Sequence, residues 1–70
     1  MSTRAEAVRM SRRAATVGNR HPALAARFYR RASTAFRQIG DHVSARDTSE
    51  AAEAHDYIAR SRQTKRRGAA

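Results

Sequence analysis

The chain has 70 residues and carries fifteen Lys and Arg against six Asp and Glu, which gives a formal net charge of +9. Only twelve side chains are large and apolar, and a chain of this length buries only about 60% of its unfolded surface, so we expect one small domain with a thin core. The absence of cysteine excludes disulfides, thiolate metal sites and cysteine nucleophiles. A core this small argues against an enzyme.

No stretch of the sequence approaches the run of about 20 apolar residues that a membrane-spanning helix needs. The first twenty residues also lack an apolar segment of the secretory type. We therefore expect a protein with no membrane span and a cytoplasmic location.

The composition favours helix throughout, because Ala contributes sixteen residues and the three Gly and one Pro are placed like helix boundaries. We predict an all-α fold with helices over residues 3–17, 22–39 and 42–60. Residues 1–60 are then a single three-helix domain.

The first predicted helix has start and stop signals at both ends. Thr3 and Glu6 have the spacing of a capping box, and Gly18 is a residue suited to ending a helix. Its apolar face is thin and consists of Ala7, Met10, Ala14 and Val17.

The second predicted helix begins with Pro22, which fits a first helical turn, and ends after Ile39 because Gly40 follows. One continuous arc of its surface is apolar. The arc comprises Leu24, Ala25, Phe28, Tyr29, Ala32, Ala35, Phe36 and Ile39. It contains both phenylalanines and the only leucine, so this helix should be the centre of the core.

The third predicted helix starts immediately after the second, with Asp41 as its N-cap, and ends near Arg60. So short a joint makes the second and third helices an antiparallel hairpin. The best apolar stripe is Val43, Ala51, Ala54 and Ile58, widened by Ala45, Ala52 and Ala59. Residues 61–70 have no apolar anchor and are predicted to be a disordered basic tail.

Charge is distributed unevenly along the chain. Residues 1–40 carry nine basic groups and one acid, residues 41–59 carry one basic group and five acids, and residues 60–70 carry five basic groups. In an antiparallel hairpin the acids of the third helix run beside the arginines of the second. We expect Asp47, Glu50, Glu53 and Asp56 to pair with Arg37, Arg31, Arg30 and Arg27 in reversed order.

Small and aromatic residues recur at helical spacing across the hairpin. They are Ala25, Tyr29, Ala32 and Phe36, then Gly40 and Asp41 at the turn, then Ala45 and Ala52. The run over residues 24–59 resembles the tetratricopeptide-like helical repeats, in which small residues let two helices approach closely. It corresponds to about one and a half repeats, and His55 stands where that family usually has an aromatic residue.

The resemblance implies a peptide-binding or protein-binding role and no catalytic residue. Our leading interpretation is therefore a non-enzymatic adaptor that binds a protein partner, with arginines selecting an acidic surface. The expected contacts are Tyr29, His55 and Tyr57. A homodimer, or docking on a larger partner, would cover apolar side chains that the thin core leaves exposed.

The alternative is a DNA- or RNA-binding protein whose arginines neutralise phosphates. Its contacts would be Arg9, Arg12, Arg13, Arg27, Arg30, Arg62, Lys65, Arg66 and Arg67. A third interpretation also stays open, namely that the Arg and Ala content reflects a GC-rich coding sequence and a solvated face. A helix-turn-helix reader is disfavoured, because the third helix is acidic and would repel the phosphate backbone.

The three histidines do not form a metal-binding pattern. His21, His42 and His55 show neither the His-Glu-x-x-His nor the Glu-x-x-His spacing, and the sequence has no Gly-rich phosphate loop. We predict no catalytic residue, no metal and no cofactor.

Overall fold

The computed structural model describes the backbone of residues 2–69 and the side chains of residues 2–65. This part of the chain is all-α: α1 spans Arg4–Val17, a 3₁₀ turn spans Gly18–Arg20, α2 spans Pro22–Gln38 and α3 spans His42–Ala69. It contains no strand. The predicted three-helix architecture is confirmed.

Helix α1 has the predicted ends. The Glu6 backbone N–H donates to Thr3 Oγ1 at 3.2 Å, which satisfies one of the free donors of the first turn. Gly18 ends the helix with a φ of +48°, and its N–H donates to the Ala14 carbonyl. Ala7 and Ala14 are fully buried, so the thin apolar face predicted for this helix is the one that packs.

The turn between α2 and α3 is closed by two backbone hydrogen bonds. The Gly40 N–H donates to the Arg37 carbonyl at 3.0 Å, and the Asp41 N–H donates to the Phe36 carbonyl at 2.9 Å. These are the two bonds of a Schellman motif, which requires a residue with positive φ, and Gly40 has a φ of +83°. The motif turns the chain back on itself and makes α2 and α3 the predicted antiparallel hairpin.

Helix α3 begins as predicted but ends differently. Asp41 caps it by accepting the Ser44 N–H at 3.1 Å. The helix then continues to Ala69, whereas the sequence analysis ended it at Arg60 and placed a disordered tail over residues 61–70. Extending an existing helix adds one hydrogen bond for each residue fixed, and no proline interrupts this segment, so an apolar anchor is not needed for the helix to continue. Ala70 lies outside the described residues.

Helix α2 lies between the other two helices and packs against both. The chain runs up, down and up, so α1 and α3 are parallel and their ends meet. At one end the Arg4 guanidinium contacts the Asp41 carboxylate at 3.0 Å, and at the other the Arg62 guanidinium donates to the Asn19 carbonyl. The last turns of α3 extend past the other two helices, and the longest dimension of the molecule is 46 Å.

Alanine dominates the core. Among the described side chains the core has nine buried residues, and eight of them are Ala7, Ala14, Ala25, Ala26, Ala32, Ala35, Ala45 and Ala52. The ninth is Phe36, around which Val8, Met10 and Ile39 are partly buried. Side chains this small let the helix backbones approach closely, so the three helices are held by many short contacts rather than by large buried side chains.

The face that α3 turns towards α2 differs from the best stripe in the sequence. Val43 is 67% exposed and Ala54 is also exposed, so the prediction that they belong to the packed face is wrong. The buried face is Ala45, Thr48 and Ala52, the first and last of which belong to the set that widened the stripe. The α3 sequence has alanines on several sides, and a hydroxyl rather than a larger apolar residue completes the packed face.

Two buried hydroxyls lie at this contact, and one of them joins the two helices. Ser33 Oγ donates to the Ala45 carbonyl at 2.7 Å, and Thr48 Oγ1 lies 3.1 Å from the same oxygen and 2.8 Å from the Ser44 carbonyl. The Thr48 bonds stay within α3, whereas the Ser33 bond joins α2 to α3. A buried hydroxyl without a partner would be unfavourable by about 1–3 kcal/mol, so the Ser33 bond selects the register in which Ser33 meets Ala45.

Within the described residues, no helix has the length and apolar character that crossing a membrane requires.

Gly40 offers a test of the turn. An added Cβ would meet no atom within 4 Å, so any loss of stability on substitution comes from the positive φ alone. We expect Gly40→Ala to lower the free energy of unfolding by about 1–2 kcal/mol, and Gly40→Asn to lower it by less, because Asn tolerates this conformation better. Thermal melts followed by circular dichroism measure both. Equal stability of Gly40→Ala and the wild type would contradict the turn geometry.

Candidate functional site: an arginine-lined groove

Most arginines of the first two helices lack an acidic partner. Among the described side chains there are two salt bridges, Arg4 with Asp41 and Arg30 with Asp56. None of the four pairs predicted along the hairpin is found among these side chains. The one bridge between α2 and α3 joins Asp56 to Arg30 instead of Arg27. The other three acids of the predicted pairs point away from α2 and are solvated, since the face of α3 that packs is Ala45, Thr48 and Ala52.

Arginines of α1 line an open groove of about 710 Å³ that runs along the exposed side of α1 and is bordered by Phe28 of α2. We call it the arginine groove. It is lined by Arg4, Ala5, Val8, Arg9, Arg12, Arg13, Thr16, Val17 and Phe28. None of these residues is acidic, and four of them are arginines. The apolar lining comes from both helices, because Phe28 of α2 is only half-buried and reaches the side of α1.

Helical spacing explains why the arginines gather there. Arg9, Arg12 and Arg13 are three and four residues apart, so they lie on one face of α1, and all three are exposed. Ala7 and Ala14 occupy the opposite face, which is buried against α2. The groove follows the fourteen residues of α1 and is therefore about 20 Å long at about 1.5 Å per residue.

Arg4 differs from the other three arginines because it is held by an acid. Its guanidinium contacts Asp41, whose carboxylate also accepts the Ser44 N–H. The Ser44 backbone and hydroxyl, followed by the Arg4 guanidinium, lower the pKa of Asp41 below its ordinary value of 3.8. The pair ties the start of α1 to the start of α3 and so fixes one end of the groove.

A second depression of about 550 Å³ lies at the opposite end of the bundle. Its basic residues are Arg20, His21, Arg27 and Arg62, and its apolar residues include Pro22 and Leu24. The Arg62 side chain is oriented by its hydrogen bond to Asn19. Two residues of the predicted nucleic-acid surface, Arg27 and Arg62, thus come together here although they are 35 positions apart.

The structure divides the three residues predicted to contact a protein partner. The rings of Tyr29 and His55 meet across the hairpin with centroids 5.2 Å apart, and both residues are half-buried. His55 Nδ1 lies 2.8 Å from the Ala51 carbonyl, so this nitrogen carries the proton. Tyr57 is 68% exposed and faces away from that contact.

The predicted basic residues fall into three groups. Arg9, Arg12 and Arg13 are in the arginine groove, Arg27 and Arg62 are in the second depression, and Arg30 pairs with Asp56. Lys65 is exposed on α3. The side chains of Arg66 and Arg67 lie outside the described residues.

The sequence analysis missed the apolar part of the groove. Phe28 was assigned to the core arc and Val8 to no face at all, yet both line the groove. The spacing of three residues could have indicated this part of the groove. Val8, Arg12 and Thr16 are four residues apart and lie beside the thin apolar face of α1 rather than on it.

No known family is matched by this chain: comparison with protein-family models, with curated proteins and with solved structures finds no similar protein. Within the described residues, no three His, Asp or Glu side chains come together as metal ligands would. The geometry of the arginine groove is therefore the main basis for a functional proposal.

Asp41 makes the stability of the fold depend on pH. Because the pKa of Asp41 is lower in the folded state, the charged carboxylate stabilises the fold above the ordinary value of 3.8, and this contribution is lost as the pH falls through the lower folded pKa. We expect Asp41→Asn, which still caps a helix, to weaken this acid-induced loss. Arg4→Gln should retain the larger part of it, because the Ser44 donors remain.

Melting temperatures measured across the acid range compare these three proteins. If wild type and Asp41→Asn lost stability identically between neutral pH and strongly acid pH, the Asp41 contacts would not be those described.

Proposed function

We propose that this protein is a non-enzymatic interaction module that binds an acidic segment of a protein partner in the arginine groove. The observation that carries the proposal is the combination of Arg9, Arg12 and Arg13 with an apolar lining that includes Val8 and Phe28. These guanidiniums are exposed and form no salt bridge among the described side chains, which favours a partner that supplies carboxylates. The apolar lining favours a partner that also supplies apolar side chains.

The apolar lining favours a protein over a nucleic acid. Phosphates need only the guanidiniums, whereas Val8, Val17 and Phe28 gain stability only from a partner with apolar groups. A groove about 20 Å long accommodates about four turns of an amphipathic helix, which is a common mode of peptide recognition. The cytoplasmic location of this interaction stays a prediction.

The tetratricopeptide-like resemblance supports the same class of function. In our proposal the hairpin is the rigid support, and Tyr29 and His55 hold its two helices together by their ring contact. Tyr57, the third expected contact, is exposed and available to a partner on the other side of α3. The binding groove itself runs along α1, beside Phe28 of α2.

A DNA- or RNA-binding role is the second candidate. It is favoured by the exposed arginines that continue from the groove over the outer face of α2, which are Arg27, Arg31 and Arg37, to Arg62 and Lys65 at the end of α3. Such a surface would hold phosphates without reading base edges, so binding would depend on salt and little on sequence.

Fluorescence anisotropy with two probes separates the candidates. One probe is an amphipathic helical peptide with Leu at core spacing and Glu on its flanks, and the other is a random-sequence DNA duplex. We expect the peptide to bind at about 150 mM salt and the duplex to lose most of its affinity there. Duplex binding that persists at this salt, with no peptide binding, would contradict the proposal and support the second candidate.

A matched pair of variants assigns peptide binding to the groove. Arg12→Glu with Arg13→Glu should weaken binding of the peptide by about tenfold or more, because the acids of the groove then face the acids of the peptide. Arg37→Glu with Arg46→Glu changes the net charge equally outside the groove and should have a much smaller effect. Equal losses in the two variants would mean that net charge, and not the groove, drives binding.

A further inference from the structure

Helix α3 carries an exposed face that complements the arginine groove. Val43, Asp47, Glu50, Ala54 and Tyr57 follow one another at spacings of four and three residues, so they form one stripe along the helix. We call it the acidic stripe. All five residues are exposed, and Val43 and Tyr57 are among the most exposed large apolar residues, at 67% and 68%.

The packing of α3 explains why this stripe is free. The buried face of α3 is Ala45, Thr48 and Ala52, which directs Asp47 and Glu50 away from α2. Within the described side chains neither acid forms a salt bridge. The molecule therefore presents unneutralised acids on α3 and unneutralised arginines on α1.

From this complementarity we infer that the acidic stripe of one copy docks in the arginine groove of a second copy. The inference uses the groove of the proposed function and names a second copy of this chain as one of its occupants. The stripe from Val43 to Tyr57 is about 21 Å long at about 1.5 Å per residue, and the groove is about 20 Å long. The two acids of the stripe lie between Val43 and Tyr57, and Arg9, Arg12 and Arg13 lie between Ala5 and Val17 in the groove.

Either direction of docking brings the same charges together. Asp47 and Glu50 lie near the middle of the stripe, and Arg9, Arg12 and Arg13 lie near the middle of the groove. Parallel and antiparallel alignments therefore both place carboxylates beside guanidiniums. Both also place Val43 and Tyr57 near the two ends of the groove, one at Arg4 and Ala5 and the other at Val17. If the arrangement is a two-fold symmetric dimer, each copy supplies one groove and one stripe.

The net charge of +9 gives self-association a characteristic salt dependence. Two such molecules repel each other at long range when the Debye length is about 30 Å, near 10 mM salt, but the repulsion is largely screened when it is about 8 Å, near 150 mM. The contacts between stripe and groove are much shorter than 8 Å. Self-association should therefore strengthen between these two salt concentrations, whereas a foreign acidic peptide should bind more weakly at the higher one.

Sedimentation velocity with the full chain and two charge-reversed variants tests the inference. Arg12→Glu with Arg13→Glu reverses the groove, and Asp47→Lys with Glu50→Lys reverses the stripe. Near 150 mM salt we expect the wild type to associate as its concentration rises. Each variant alone should associate at least about tenfold more weakly, because like charges are brought together.

An equimolar mixture of the two variants should restore association, because a reversed groove then meets a reversed stripe and a native groove meets a native stripe. A wild type that stays monomeric at both salt concentrations, or a mixture that associates no better than its components, would overturn the inference. Circular dichroism of each variant confirms that the helices are formed.

The stripe-reversed variant separates this inference from the proposed function. Its groove is unchanged, so it should bind the acidic amphipathic peptide as tightly as the wild type does. Loss of self-association with unchanged peptide binding is the result that the inference predicts for this variant. A wild type that is monomeric and binds the peptide would refute the inference but not the proposed function. A wild type that dimerises and does not bind the peptide would refute the proposed function but not the inference.

Discussion

The structure depends on the close approach of α2 to both of its neighbours across alanine side chains. The chain has only twelve large apolar residues, so three helices cannot be held by large buried side chains. Among the described residues, Phe36 is the only large side chain in the core. Eight buried alanines reduce the distance between backbones instead, and the Ser33 hydroxyl fixes the register of the hairpin by donating to the Ala45 carbonyl. Thin packing of this kind leaves larger apolar side chains, such as Val43 and Tyr57, at the surface.

The same constraint decides where the charges lie. Because the alanine faces of α1 and α3 are turned to α2, the arginines of α1 and most acids of α3 are directed to solvent. Within the part of the chain whose side chains are described, Asp56 alone pairs with an arginine of α2. The protein therefore has a basic groove and an acidic stripe on different helices. If the acids paired with the arginines inside the molecule, the protein would have neither surface. Its net charge of +9 would then be spread over the whole molecule.

Local features could be predicted from the sequence, and features that depend on helix rotation could not. The residues that cap and end helices act within one turn of their own position, and they are Thr3, Gly18, Gly40 and Asp41. They predicted the starts of α1 and α3, the end of α1 and the hairpin. The face of α3 could not be predicted, because alanines occur on several of its sides and the deciding bond joins Ser33 to Ala45 across the hairpin. The groove depends on how α1 is rotated against α2, which brings Phe28 beside Val8.

The central claim is that backbone proximity across alanine holds the bundle, and one comparison of unfolding free energies tests it most directly. Ala32 is fully buried and packs in the cluster with Ala7 and Ala45, whereas Ala15 is exposed on α1. Denaturant unfolding of Ala32→Leu should show a loss of about 1–3 kcal/mol. Ala15→Leu should stay within about 0.5 kcal/mol of the wild type. If Ala32→Leu were as stable as the wild type or more stable, the space between the helices would accept a larger side chain. The helices would then not be held by close backbone contact across alanine.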